Sequence, residues 1–120
     1  MLRTVASRLA PIGPAVLIFA LSSRRPENLP SFEFPGLDKL AHVLVYLPLG
    51  LTLSLSTGRS TLLCAVLGVL YGLTDEFHQS FVPGRQPDFG DVIADGVGAA
   101  LGAHLFETFW GSRRAPHVPR

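Results

Sequence analysis

Charged residues are scarce in this chain of 120 residues, since only 16% of them are Asp, Glu, Lys or Arg. Ordinary soluble proteins carry roughly 25%. Apolar residues make up 48% of the chain and the mean hydropathy is +0.36. A small soluble helical protein is the alternative, but so little polar surface would not cover its helices in water. The composition therefore predicts one integral membrane domain over residues 1–120.

Several features of other protein classes are missing as well. Cys64 is a single cysteine, so an internal disulfide is excluded and core packing is its expected role. The net charge is only +1 and no basic patch is present, which gives no support to nucleic-acid binding. There is no nucleophile motif, phosphate-binding loop or zinc-type Cys/His spacing. Any catalysis would depend on clustered carboxylates instead.

Four stretches without charged residues indicate the helices. They are residues 9–23, 40–58, 60–74 and 96–106. Residues 40–58, at about 1.5 Å per residue, cover about 28 Å and cross a bilayer core of roughly 30 Å unaided. Residues 9–23 and 60–74 are shorter than the roughly 20 residues usually needed, so they require snorkelling arginines or a thinned bilayer. The last stretch needs Asp91 and Asp95 inside its helix. We expect an all-α bundle of about four transmembrane helices, the first at about 9–23.

The N-terminal stretch has two interpretations. Residues 1–22 resemble a cleaved secretory signal, with arginines, an apolar run and small residues at its end. Arg24 and Arg25 follow directly, however, and basic residues after an apolar run are typical of a retained anchor. We expect the first helix to be retained.

The distribution of basic residues predicts the orientation. With four spans, one side of the membrane carries six arginines and the other side carries three arginines and one lysine. The first set is Arg3, Arg8, Arg59, Arg113, Arg114 and Arg120, and the second is Arg24, Arg25, Lys39 and Arg85. The positive-inside rule then places both termini in the cytoplasm.

Polar residues cluster at helix ends that share one membrane face. The second helix starts at Asp38, the third ends near Gln79 and the fourth starts after Pro87, so their polar ends meet. Four-residue spacings give each helix one polar stripe. The stripes are Asp38, His42 and Tyr46; Tyr71, Asp75 and His78 or Gln79; and Asp91, Asp95, Gly98 and Gly102. Two G-x-x-x-G motifs, Gly68 with Gly72 and Gly98 with Gly102, favour direct packing of the third and fourth helices.

A tight turn links these two helices. Pro83 presets the first central torsion of a turn and Gly84 accepts a positive one at the second. Arg85 then lies at the loop tip and faces the carboxylates. An ion pair with Asp88 or Asp91 and a role in gripping a ligand carboxylate or phosphate remain equally open.

Residues 38–102 carry a family resemblance. Asp38-Lys39-x-x-His42-x-x-x-Tyr46, then Asp75-Glu76-x-x-Gln79-x-Phe81-Val82-Pro83-Gly84-Arg85, then Asp88-x-x-Asp91, resemble the VanZ-like family of small bacterial integral membrane proteins. Asp95 stands where that family usually has asparagine. The resemblance implies a multi-pass protein of the bacterial inner membrane in the cell envelope. It also implies a link to resistance against teicoplanin, a glycopeptide antibiotic that acts on cell-wall precursors.

Three functions remain open for the polar cluster. In a binding protein, the cluster holds a lipid-linked cell-wall intermediate or a glycopeptide. Its ligand-binding residues are Asp38, Lys39, His42, Tyr46, Asp75, Glu76, Gln79, Arg85, Asp88, Asp91 and Asp95. In an interfacial enzyme for a phosphate-bearing or lipid-linked substrate, the candidates for acid, base or metal ligand are Asp75, Glu76, Asp91 and His42, with Asp95 as a further carboxylate.

Crowded carboxylates would also suit a divalent cation such as Mg²⁺. In a purely structural protein, Lys39, Arg85, His42 and His78 only pair with the acids. Six acids against two fixed cations leave an excess of negative charge, which favours binding of a cationic group.

Overall fold

The computed structural model describes residues 4–29, 31, 34–58 and 60–110. These residues form helices and no strand, so the all-α prediction is confirmed. The helices are α1 (Val5–Leu9), α2 (Ile12–Ser22), α3 (Leu37–Thr57), α4 (Thr61–Gln79) and α5 (Phe89–Trp110), with a 3₁₀ turn at Pro26–Asn28.

The helix boundaries follow local capping chemistry. The Thr4 side chain accepts a hydrogen bond from the Ser7 N–H, so the first helical region begins at Val5, earlier than the expected residue 9. Only Ala10 and Pro11 separate α1 from α2. The Ser60 side chain likewise accepts from the Leu63 N–H at the start of α4. The start of α5 at Phe89 places Asp91 and Asp95 inside that helix, as predicted.

Two helical regions, Val5–Ser22 and Leu37–Thr57, are long and apolar enough to cross a membrane. The first includes both α1 and α2. Five of the six arginines that decide the predicted orientation lie outside the described residues; they are Arg3, Arg59, Arg113, Arg114 and Arg120. The orientation therefore stays a prediction.

Glycines bring α5 close to both of its neighbours. A Cβ atom at Gly98 would collide with the Val43 carbonyl oxygen, and one at Gly102 with the Leu47 carbonyl oxygen, so both glycines face α3. A Cβ atom at Gly72 of α4 would lie 2.7 Å from Asp95 Oδ2 of α5. Helices α4 and α5 thus pack together. Their two G-x-x-x-G motifs do not meet, because the motif of α5 contacts α3 instead.

Helix direction gathers the polar residues at one end of the bundle. Lys39 and Asp91, near the starts of α3 and α5, are in direct contact, so these helices run in the same direction. Ser22 at the end of α2 contacts Asp75 near the end of α4. The end of the bundle that holds these four residues is called the polar end below. At the opposite end, the Ser56 hydroxyl donates a hydrogen bond to the Arg8 carbonyl oxygen.

The Gly102 contact makes a testable prediction about stability. Gly102→Ala should destabilise the fold by about 1 to 3 kcal/mol, because its methyl group must displace the backbone of α3. Gly13→Ala is the matched control, since no atom lies within 4 Å of its added methyl group. Thermal unfolding of both variants in detergent measures the effect. Equal melting temperatures for Gly102→Ala and the unaltered protein would contradict the close approach of α3 and α5.

Candidate functional site

A cavity of about 490 Å³ opens at the polar end, between α2, α3, α4 and the loop after α4. This volume is within the roughly 300–1,000 Å³ of small-molecule sites. One part of its wall is apolar and includes Ile18, Leu21, Ala41 and Val45. The polar part consists of Ser22, Asp38, His42, Tyr46, Asp75, Gln79, Arg85, Gln86 and Asp91. The lining therefore suits a molecule with both an apolar and a polar portion.

Asp75 is held by uncharged donors on three helices. The Ser22 hydroxyl donates to Asp75 Oδ1, and Gln79 Nε2 donates to Oδ2 over 3.3 Å. The Tyr46 hydroxyl lies 3.5 Å from the same Oδ2. All four side chains are buried, and no described cation is paired with this carboxylate. The Asp75 carboxyl group thus borders the cavity and is held there by uncharged groups.

Lys39 neutralises three acids at the start of α3 and α5. Its ammonium lies 2.6 Å from Asp88 Oδ2, 2.6 Å from Asp91 Oδ1 and 3.1 Å from Asp38 Oδ2. This ammonium also lowers the pKa of the Asp88 carboxyl, which lies in the loop before α5. The Gly90 N–H donates to the same carboxyl over 2.8 Å. Lys39 therefore occupies the centre of this group of three carboxylates.

His42 of α3 lies between two acids of α5. Its Nδ1 is 2.7 Å from Asp95 Oδ1, and its Nε2 is 3.5 Å from Asp91 Oδ2. Asp91 and Asp95 are four residues apart and so share a helix face. Asp95 is completely buried, whereas His42 and Asp91 also line the cavity. The arrangement connects the cavity to a carboxylate that solvent does not reach.

Glu76 does not line the main cavity. Consecutive residues of an α-helix point about 100° apart, so Glu76 faces a different side of α4 from Asp75. Glu76 Oε2 accepts a hydrogen bond from the Asp88 N–H at 2.8 Å. Glu76 lines a second cavity instead, and its membership in the ligand-binding set stays a prediction.

The loop between α4 and α5 contains the predicted turn. Gly84 has a φ of 83°, and the Arg85 N–H donates to the Val82 carbonyl oxygen over 3.1 Å. Arg85 lines the main cavity but forms no ion pair with a described carboxylate. Of the two alternatives for Arg85, the ion pair with Asp88 or Asp91 is not formed, and Lys39 contacts both of these acids.

The structure thus divides the predicted site residues into two groups. Seven line the main cavity: Asp38, His42, Tyr46, Asp75, Gln79, Arg85 and Asp91. Four do not line it: Lys39, Glu76, Asp88 and Asp95. His78 lies 2.9 Å from the Ser23 hydroxyl and stacks on Phe19, so it is outside the acidic cluster. Sequence reasoning missed Ser22, although its position at the end of the first helix placed it at the polar end.

The residues that the structure describes contain no group of three or more His, Cys, Asp or Glu side chains arranged to hold a metal ion. Cys64 is buried and free, in keeping with the expected packing role. The polar groups that line the main cavity are carboxylates, an imidazole, a guanidinium, hydroxyls and amides.

Comparison with known proteins gives one family and one curated relative. A family model described as VanZ/LLP1 matches residues 5–110. An uncharacterized protein of Schizosaccharomyces pombe is 37% identical over 94 residues, which cover 74% of this chain and 57% of the relative. The chain therefore spans less than two thirds of that relative's length. No solved structure matches the chain.

The buried His42–Asp95 contact makes a testable prediction. His42→Ala should destabilise the fold by about 3 to 5 kcal/mol, because it leaves Asp95 buried without its partner. His104→Ala is the matched control, since His104 is exposed on α5 and its loss should change stability little. Thermal unfolding in detergent measures both. A melting temperature unchanged by His42→Ala would show that Asp95 does not depend on the imidazole.

Proposed function

This chain belongs to the VanZ/LLP1 family, and on that premise we propose that it is a multi-pass protein of the bacterial inner membrane that binds a cell-envelope ligand. The ligand is a lipid-linked cell-wall intermediate or a glycopeptide of the teicoplanin type. It occupies the main cavity at the polar end. Binding alters access to that ligand without breaking bonds in it, which would link the protein to glycopeptide resistance.

The proposed membrane architecture has four spans: the α1–α2 region, α3, α4 and α5. The first and second are apolar enough to cross by themselves. Support for α4 and α5 comes from large apolar side chains that point away from the bundle. Leu62 and Leu70 of α4 are 75% and 53% exposed, and Ile93 of α5 is 69% exposed. Exposed apolar surface of this extent suits a lipid environment.

The contacts of α2 support retention of the first span. Ser22 is buried and donates its hydroxyl hydrogen to Asp75. Ile18 is buried against Tyr46 and Leu49 of α3. Cleavage after residue 22 would remove these contacts and also the α2 wall of the main cavity. A retained helix is therefore part of the proposal.

Arg85 is the observation that carries the binding proposal. Its guanidinium borders a cavity of ligand size and forms no direct ion pair with a described carboxylate. A guanidinium in that position can grip a phosphate or carboxylate with two parallel hydrogen bonds. The apolar wall formed by Ile18, Leu21 and Val45 would contact the lipid portion of the same molecule. A phosphate-bearing lipid satisfies both parts of the lining.

A membrane-embedded enzyme for the same ligand is the second candidate. Its support is the His42 imidazole, which borders the cavity while Asp95 holds its other ring nitrogen. An imidazole oriented in this way by a carboxylate is a common general base. Asp75 and Asp91 would supply further acid or base groups at the same cavity. In this alternative, bond breaking follows binding at Arg85.

Binding at Arg85 can be tested with two defined probes. The full chain in detergent is titrated with farnesyl diphosphate, a short phosphate-bearing lipid, and with teicoplanin. Arg85→Lys should weaken binding of the accepted probe about tenfold or more, because an ammonium cannot reproduce the paired guanidinium hydrogen bonds. The melting temperature should stay unchanged, since Arg85 has no ion pair with a described carboxylate to lose.

Arg25→Lys is the matched control, because Arg25 is exposed at the polar end and outside the cavity. Failure of both probes to bind, or equal binding by the Arg85→Lys protein, would contradict the proposal. Release of inorganic phosphate from farnesyl diphosphate in the same incubation would favour the enzyme.

The orientation can be tested separately. A reporter active only in the cytoplasm, fused after Arg120, should be active, because the predicted topology places both termini there. The polar end would then face outward, where glycopeptides meet cell-wall precursors. A silent reporter in a stably expressed fusion would reverse the orientation and leave the geometry of the cavity unaffected.

A further inference from the structure

A second cavity, of about 270 Å³, lies on a different side of α4 from the main cavity. Its lining includes Glu76, Asp88, Leu73, Phe77 and Phe89. None of these residues lines the main cavity. The volume is just below the roughly 300 Å³ at which typical ligand pockets begin, so it suits a chemical group rather than a whole drug-sized molecule.

Glu76 is the unusual member of this lining. It is only 7% exposed, and its Oε1 atom is buried without a hydrogen-bond partner among the described residues. Its Oε2 atom receives one hydrogen bond, from the Asp88 N–H. Buried charges are normally paired, and a buried polar atom without a partner requires an explanation. Asp95 Oδ2 is also without a partner, but that atom lies in the helix contact beside Gly72 and outside both cavities.

Two described cations, Lys39 and His42, form ion pairs, and both pair with other acids. Lys39 contacts Asp38, Asp88 and Asp91, while His42 contacts Asp91 and Asp95. No described Lys, Arg or His side chain forms an ion pair with Glu76. The positive charge that would pair directly with Glu76 is therefore absent from the described residues. A ligand cation beside Glu76 would supply it.

The aromatic neighbours indicate which kind of cation fits. Phe77 and Phe89 are 70% and 81% exposed at the rim of this cavity. Aromatic faces attract ammonium and quaternary ammonium groups, and they also pack against lipid chains. In the four-span arrangement, the end of α4 and the start of α5 lie at the bilayer surface, which is the level of lipid headgroups. This part of the inference rests on the membrane architecture of the proposed function, but not on the ligand of the main cavity.

We propose that the second cavity binds a bilayer lipid whose headgroup carries an ammonium or trimethylammonium group. The Glu76 carboxylate pairs with the cationic nitrogen, and Phe77 and Phe89 contact its methylene or methyl groups. The acyl chains then lie along the outward surface of α4 near Leu73. The protein thus has a carboxylate that binds a cationic lipid headgroup on one side of α4 and the guanidinium of Arg85 on a different side.

The test measures binding of three short-chain lipids to the full chain in detergent by native mass spectrometry. The lipids are dioctanoyl phosphatidylethanolamine, phosphatidylcholine and phosphatidylglycerol. The two amine lipids should bind at least tenfold more tightly than phosphatidylglycerol. Glu76→Gln should remove that preference, because it keeps the shape and the acceptor for the Asp88 N–H but loses the charge. Free ethanolamine should bind far more weakly than its lipid.

Two further variants separate this site from folding and from the main cavity. Phe89→Leu should reduce binding of phosphatidylcholine several-fold without altering stability, because the ring is exposed. Arg85→Gln should leave the amine-lipid preference intact even if it abolishes binding of farnesyl diphosphate. Equal binding of all three lipids, or an unchanged preference in Glu76→Gln, would overturn the proposal. Ethanolamine binding as tight as that of its lipid would overturn the assignment to a bilayer lipid.

Discussion

The close contact between α3 and α5 is the constraint on which the other features depend. Gly98 and Gly102 lack the side chains that would hold the two helix backbones apart. The short distance between the two helices lets Lys39 and His42 of α3 reach the carboxylates of α5. The interface between α3 and α5 therefore combines steric fit with charge pairing. A larger residue at either glycine would also weaken the ion pairs. The fold can accommodate the completely buried Asp95 carboxyl only because the interface between α3 and α5 brings an imidazole to it.

Charge pairing between α3 and α5 also decides which charged side chains remain available to ligands. Lys39 contacts three acids, while Arg85 and Glu76 form no direct ion pair with a described residue. These two unpaired groups lie on different sides of α4 and have opposite charge. A purely structural network would have paired them with each other or with nearby groups. Their separation instead favours two sites with different ligand chemistry.

Much of the fold could be predicted from short-range patterns. The charge-free stretches predicted the helices, and Pro83-Gly84 predicted a turn that the φ of Gly84 confirms. Four-residue spacing predicted that Asp91 and Asp95 share a face, and both contact His42. Membership of the family is confirmed over residues 5–110. These features depend on neighbours within one helix or turn, and sequence spacing specifies such neighbours directly.

The partners across helices could not be predicted in the same way. Sequence spacing does not say whether Gly98 faces α3 or α4, nor whether Lys39 or Arg85 reaches Asp91. Those choices depend on the rotation of each helix about its axis, which the packing of the whole bundle decides. Asp75 and Glu76 show the limit most clearly, because a single step along α4 separates their cavities.

The parallel arrangement of α3 and α5 has a consequence for the order of assembly during synthesis. A ribosome makes the chain from its N-terminus, so α3 is complete before Asp91, Asp95 and the glycines of α5 exist. Until α5 emerges, Lys39 and His42 have none of their α5 partners, and the largest interface of the bundle cannot form. Among the described helices, α5 thus completes the bundle, and a nascent chain that stalls before α5 would leave the α3 surface that α5 covers without its partner.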